Sequence, residues 1–127
     1  MNNNSHAYNH PEFVFVFGSN LAGIHGAGAA LYAEKFYGAK KNVGEGLTGN
    51  SYALPTKDEN IKTRSLDDIE ESIEKFLICV SKSPDKHFGI TPVGTGLAGY
   101  SKGQIIRLFM KYAIPDNAFF YRQWFQE

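Results

Sequence analysis

The run Phe13-Val14-Phe15-Val16-Phe17 is β-branched and aromatic throughout, with no polar position in it. A strand without alternation is covered on both faces, as in a parallel sheet flanked by helices. Gly18-Ser19-Asn20 ends the run, and a glycine-rich loop follows, Gly23-Ile24-His25-Gly26-Ala27-Gly28. From about Ala27 to Phe36 the spacing turns helical. Ala29, Tyr32, Ala33 and Phe36 recur at i, i+3, i+4 and i+7, a slim apolar face that suits close packing on a sheet. Gly38 supplies a stop. The stretch Gly44 to Gly49 reads as turn, and a short strand, about Tyr52 to Leu54, is closed by Pro55-Thr56-Lys57-Asp58.

The clearest helix comes next. Ser65 can cap it, Asp67 and Asp68 occupy its first turn, and Leu66, Ile69, Ile73, Phe76, Leu77 and Val80 keep helical spacing. Lys82 lies near its end, and Pro84 terminates it. His87 to Pro92 reads as a buried strand running into Val93-Gly94-Thr95-Gly96-Leu97-Ala98-Gly99-Tyr100. Ser101 with Gln104 forms a capping box for a third helix, whose inner face carries Ile105, Leu108, Phe109 and Tyr112. Ala118 to Tyr121 is the last strand, followed by Arg122-Gln123-Trp124.

Strands alternating with helices predict an α/β layered domain whose sheet is at least partly parallel. Both glycine loops follow a buried strand and precede a helix, so both emerge at the carboxyl edge of the sheet, where open α/β sheets bind ligands. At 127 residues, 43% of them hydrophobic, the chain suits one domain with a real core. Residues 13–127 are expected to form it, with 1–12 as a flexible polar tail. His6 and His10 in that tail stand at i, i+4, but no helix signal surrounds them, and no metal site is expected.

Thirteen basic residues balance 13 acidic ones. That balance gives no footprint for non-specific nucleic-acid or anionic-membrane binding. Cys79 is the sole cysteine, which excludes an internal disulfide and a cysteine zinc site. With no long apolar run and no signal-like N-terminus, the expectation is a soluble cytoplasmic protein with no membrane span.

A glycine-rich loop at a helix N-terminus offers backbone N–H groups and the positive end of the helix dipole, and so favours phosphate. Two such loops in one small domain point to a phosphate-bearing ligand; the alternative is that both are only turns. Gly94-Thr95-Gly96-Leu97-Ala98-Gly99 spells G-x-G-x-x-G, but Asp116 precedes the next strand instead of following it, so the dinucleotide reading fails. Neither loop ends in Gly-Lys-Ser or Gly-Lys-Thr, so the Walker A reading fails too. His25, inside the first loop, can donate to a phosphate or ribose or stand solvated. Lys57, just after a strand, can pair with phosphate, act as a nucleophile if desolvated, or sit exposed beside Asp58. No cofactor is called for.

The order of motifs resembles the macrodomain family, in particular the branch of the terminal ADP-ribose glycohydrolase and the macrodomain of the ALC chromatin remodeller. The resemblance rests on Gly26-Ala27-Gly28 before an alanine-rich helix ending Lys35-Phe36-Tyr37-Gly38, then Gly44-Glu45, Tyr52-Ala53-Leu54-Pro55-Thr56-Lys57, the long helix, and Val93-Gly94-Thr95-Gly96-Leu97. It covers about Phe13 to Trp124 and implies a three-layer α/β/α fold, with a mixed, largely parallel sheet and a cleft for ADP-ribose or a related NAD-derived or cyclic nucleotide. It implies that Gly26, Ala27, Gly28 and Ala29 approach the distal ribose; Gly18, Ser19, Asn20 and His25, at the strand end and in the same loop, are candidate ligand contacts beside them. Gly94, Thr95, Gly96, Leu97, Ala98, Gly99 and Tyr100 would wrap the diphosphate. Lys57 falls where that branch carries a lysine that attacks the anomeric carbon. Two departures stand out: Ala98 replaces a catalytic aspartate, and the Gly-Asp-Ile segment that contacts adenine in many macrodomains is missing. Base recognition must then come from elsewhere, with Trp124, Tyr121 and Tyr100 as the available aromatic surfaces. Three functions are open: a nucleotide-binding module, an ADP-ribosyl hydrolase using Lys57, or a non-catalytic protein that sequesters another phosphorylated signal or binds a protein partner.

Overall fold

A computed structural model describes residues 13–126; the N-terminal stretch with His6 and His10, and Glu127, lie outside the described residues. The elements run β1 (Phe13–Asn20), α1 (Gly28–Phe36), β2 (Gly46–Thr48), β3 (Ser51–Lys57), α2 (Leu66–Ser81), β4 (His87–Ile90), α3 (Lys102–Phe109) and β5 (Ala118–Phe120), closed by a 3-10 turn at Arg122–Phe125. They form one five-stranded sheet in the order β2-β3-β1-β4-β5. Only β2 is antiparallel to its neighbour. The α/β class and the mostly parallel mixed sheet therefore stand as read from the sequence.

The unbroken apolar run of β1 is explained by its place at the centre of the sheet. Phe13, Phe15 and Phe17 face α1 and pack with Ala33, Tyr37 and Tyr121, whereas Val14 and Val16 face the cluster built by α2 and α3. Phe15 stacks on Tyr37 with ring centroids 4.6 Å apart and the two planes nearly parallel. On the other face Phe76 of α2 meets Tyr52, Phe88 and Phe109 edge-on. Both caps read from the sequence form: Ser65 Oγ accepts from the Asp68 N–H, and the Ser101–Gln104 capping box is complete. Among the described residues no helix is long and apolar enough to cross a membrane.

Two local readings need correction. The Gly44–Gly49 stretch, expected as turn, contains β2, whose three residues show no period and owe their strand to pairing with β3. The strand expected at about Tyr52 to Leu54 runs from Ser51 to Lys57, straight through Pro55. Gly46, the first residue of β2, pairs with Ala53, so the ladder with β2 ends before Pro55 and the next contact on that side is the Lys57–Thr63 bridge; a proline is tolerated in the gap between them.

Candidate functional site

Strands β1, β3 and β4 are parallel and adjacent, so their carboxyl ends coincide. The connection after β1 leads to α1 on one face, and the connection after β4 leads to α3 on the other. The border of β1 and β4 is therefore the point where the chain changes faces, the place at which a crevice opens in such sheets. A cavity of ≈ 590 Å³ lies there. Its walls are the end of β1 (Gly18, Ser19, Asn20), the first glycine loop with the start of α1 (Ile24 and Gly26 to Ala30), the end of β3 (Thr56, Lys57) and the second loop from Thr91 to Ala98. Ile61, from the turn after β3, completes it.

The first loop is built by its own side chains. Asn20 Oδ1 accepts from the Ile24 N–H and Asn20 Nδ2 donates to the Ile24 carbonyl, at 3.0 and 2.9 Å. Ser19 Oγ donates to the Gly44 carbonyl. Gly44 is packed so closely on Asn20 and Leu21 that a Cβ would overlap their backbone. His25 is buried at 4% exposure, its edge against the Phe17 ring, and its Nε2–H donates to the Lys40 carbonyl at 2.9 Å. A carbonyl only accepts, so the proton on Nε2 is fixed by this bond. The loop ends at α1, whose N-cap residue, Ala27, has no polar side chain to cap it. Its first-turn residues Gly28, Ala29 and Ala30 line the cavity instead, and the N–H groups of a first helical turn have no partner within the helix.

The second loop is tied differently. Thr95 Oγ1 donates back to the Pro92 carbonyl, the Gly99 N–H to Gly96 and the Tyr100 N–H to Gly94. Thr63 Oγ1 donates to the Ala98 carbonyl, and Tyr100 Oη donates to the Arg64 carbonyl at 2.6 Å. The segment after Lys57 thus holds this loop in place. Ser101 and Gln104 already satisfy the N-terminus of α3, so what faces the cavity is loop backbone. An added Cβ at Gly96 would meet nothing within 4 Å.

Lys57 stands half-buried at the carboxyl end of β3 and lines the cavity. A register shift in the β1–β3 ladder sets it there: Ser19 pairs with Pro55 but Asn20 with Lys57, leaving Thr56 as the extra residue of a bulge. Bulges re-aim side chains beside binding sites. The carboxylate of Asp58 does not serve Lys57. Its Oδ1 accepts from the Asn60 and Lys62 N–H groups, and these bonds, Lys62 first, hold its pKa below 3.8. Among the described residues that line the cavity, Lys57 is the only titratable one.

Of the residues expected to contact a ligand, Gly18, Ser19, Asn20, Gly26, Ala27, Gly28, Lys57, Gly94, Thr95, Gly96, Leu97 and Ala98 line the cavity together. His25, Gly99, Tyr100 and Trp124 do not. His25 supports the first loop from below. Gly99 turns the second loop at φ 91°, and Tyr100 anchors it. Trp124 is a core residue whose Nε1–H donates to the Ile90 carbonyl and whose ring meets Phe109 and Phe120. Its position just past the last strand suggested the carboxyl edge, but the 3-10 turn folds the ring back under α3. Tyr121 packs against Phe13 and Phe15 and is likewise buried. Sequence reasoning missed Ile24, Ala30, Thr56, Ile61, Thr91, Pro92 and Val93 as lining residues. Their only signal was adjacency to the glycine loops and to Lys57.

No protein-family model matches the sequence, and no curated protein does. Among solved structures the macrodomain of Mycobacterium tuberculosis DarG matches with a TM-score of 0.61, 16% sequence identity and 91% of each chain covered. The chain is macrodomain-like in fold.

Proposed function

We propose that this chain is a binding module for ADP-ribose or a related NAD-derived or cyclic nucleotide, held between its two glycine loops. The observation that carries this reading is the meeting of both loops and Lys57 around one cavity at the carboxyl ends of β1, β3 and β4. The uncapped first turn of α1 suits one phosphate, the backbone of Gly94 to Ala98 another, and the Lys57 ammonium neutralises part of their charge. The likeness to a macrodomain supports the same ligand class. A second reading, an ADP-ribosyl hydrolase with Lys57 as nucleophile, is favoured by the place of Lys57 in the cavity. Against it, no Asp, Glu or His among the described residues lines that cavity to move a proton, and Ala98 occupies the position where the resembling branch carries its aspartate. Binding without rapid turnover is the reading we adopt.

The test is titration calorimetry of the parent and Gly96→Val with ADP-ribose. The new side chain enters open space, so the melting temperature stays at the parent value. Affinity falls at least about tenfold, because hydrogen bonds to a displaced phosphate contribute about 1.5–3 kcal/mol each. Equal affinity in both proteins removes the second loop as a phosphate site, and no affinity in the parent removes the reading. Borohydride trapping of a Lys57 adduct on ADP-ribosylated protein, with rapid release, decides for the hydrolase instead.

A further inference from the structure

Nine large apolar side chains stand exposed among the described residues, and three of them, Ile24, Ile61 and Leu97, line this one cavity. Each comes from a different loop: the first glycine loop, the turn after Lys57 and the second glycine loop. Leu97 is 88% exposed, Ile24 58% and Ile61 42%. Single exposed aliphatics are ordinary, but three lining one cleft from separate loops are not scattered. Ile61 carries a further mark. Its φ is 62°, in the left-handed region, where a β-branched residue is a true outlier. Asn or Gly would sit there without strain, and the chain already uses Asn42 at φ 69° elsewhere.

The strain is held by a dense set of bonds. Asp58 Oδ1 takes the Asn60 and Lys62 N–H groups, the Asp58 N–H donates to the Lys62 carbonyl, and the Ile61 N–H donates to the Asp58 carbonyl. Lys57 and Thr63 bridge at the base of the turn, and Thr63 fastens it to Ala98. A strained backbone that its surroundings over-determine, beside a binding cavity, is the pattern in which strain is kept for function.

We infer that Ile24, Ile61 and Leu97 form an aliphatic clasp that grips the uncharged ring portion of the ligand, with Ile61 its specificity-determining member. The inference rests on the proposed nucleotide-binding reading and narrows it. Phosphate is met by backbone N–H groups and Lys57 within the cleft, and an apolar-faced ring, a sugar or base, by the clasp. Among the described residues no aromatic side chain lines the cavity, so aliphatic contact takes the place of ring stacking. The ligand class is a nucleoside diphosphate carrying its rings, not a bare phosphate or pyrophosphate.

The experiment measures melting temperature and ADP-ribose affinity for the parent, Ile61→Asn, Ile61→Val and Leu97→Ser. Ile61→Asn relieves the backbone and removes the apolar surface. Its melting temperature is expected to equal or exceed the parent's while its affinity falls at least about tenfold, the worth of one buried aliphatic side chain. Ile61→Val, which keeps a branched aliphatic at the strained position, retains affinity within about fourfold. Leu97→Ser alters a side chain too exposed to support the fold and is expected to lose affinity by a similar factor. Parent affinity in Ile61→Asn or in Leu97→Ser overturns the clasp while leaving nucleotide binding intact. A parent that binds no ADP-ribose overturns the underlying reading, and the clasp with it.

Discussion

The two glycine loops face each other across one cavity but are built on opposite plans. The first is locked by itself and by what lies beneath it: Asn20 closes it on Ile24, Gly44 is pressed against it, and His25 is pinned to Lys40. The second keeps its shape through its own backbone turns and through Thr63 and Arg64, residues of another segment. The helices differ as well. α1 starts uncapped and offers its first turn to the cavity, whereas α3 carries the reciprocal Ser101–Gln104 capping box. Similar composition therefore hides a rigid wall with a helix terminus and a second wall whose position depends on the turn after Lys57. A glycine loop is a material, and its neighbours decide what it becomes.

The largest effect expected from breaking this contrast is at Gly44, which supports the first loop. Gly44→Ala drives a Cβ into the backbone of Asn20 and Leu21, neither of which can yield cheaply, and should cost about 3 kcal/mol in urea unfolding, the upper range for overpacking. Gly96→Ala in the second loop, entering open space, should change stability by less than about 0.5 kcal/mol. If the two substitutions cost the same, the contrast between a packed and an open loop is wrong.

A smaller effect isolates the tie between the second loop and its neighbour. Tyr100→Phe deletes the hydrogen bond to the Arg64 carbonyl and should cost about 1 kcal/mol. Amide exchange should quicken at Gly99 and Tyr100 and stay unchanged at Ile24 in the first loop. Equal quickening in both loops would mean that they move as one body.

The smallest effect is a dependence on pH. The Asp58 carboxyl lies below its ordinary 3.8, chiefly through the Lys62 N–H bond. A carboxyl lowered on folding contributes above its unfolded value and loses that contribution as pH falls through its folded value. The parent and Asp58→Ala should therefore differ in melting temperature at neutral pH, and that difference should shrink as pH falls below 3.8. A gap that stays constant into strong acid would show that the Asp58 charge plays no part in holding the turn under Ile61.

Much of the architecture was legible along the chain because it is written in local terms. The unbroken apolar β1, the helical spacing of Leu66 to Val80, the Ser65 and Ser101 caps and the two glycine loops each declare themselves within a few residues. β2 did not, because Gly46-Leu47-Thr48 becomes a strand only through its partner. The reach of β3 through Pro55 was hidden for the same reason: a proline is excluded or tolerated according to which neighbour remains beside it.

At the site the division falls along the same line. The sequence alone determined which backbone would be exposed at the carboxyl edge, since strand–glycine–helix order fixes that wherever the sheet is parallel, and so Gly26 to Gly28, Gly94 to Ala98 and Lys57 were found. Only the tertiary structure decided which side chains around them turn toward the cavity. Trp124, Tyr100 and His25 have the chemistry of ligand contacts but spend it on the Ile90, Arg64 and Lys40 carbonyls. Ile24, Ile61 and Leu97 look like ordinary loop aliphatics and stand at its walls. Composition and spacing state what a side chain can do, but its direction is set by bonds to residues 15 to 36 positions away in sequence, which no local pattern records.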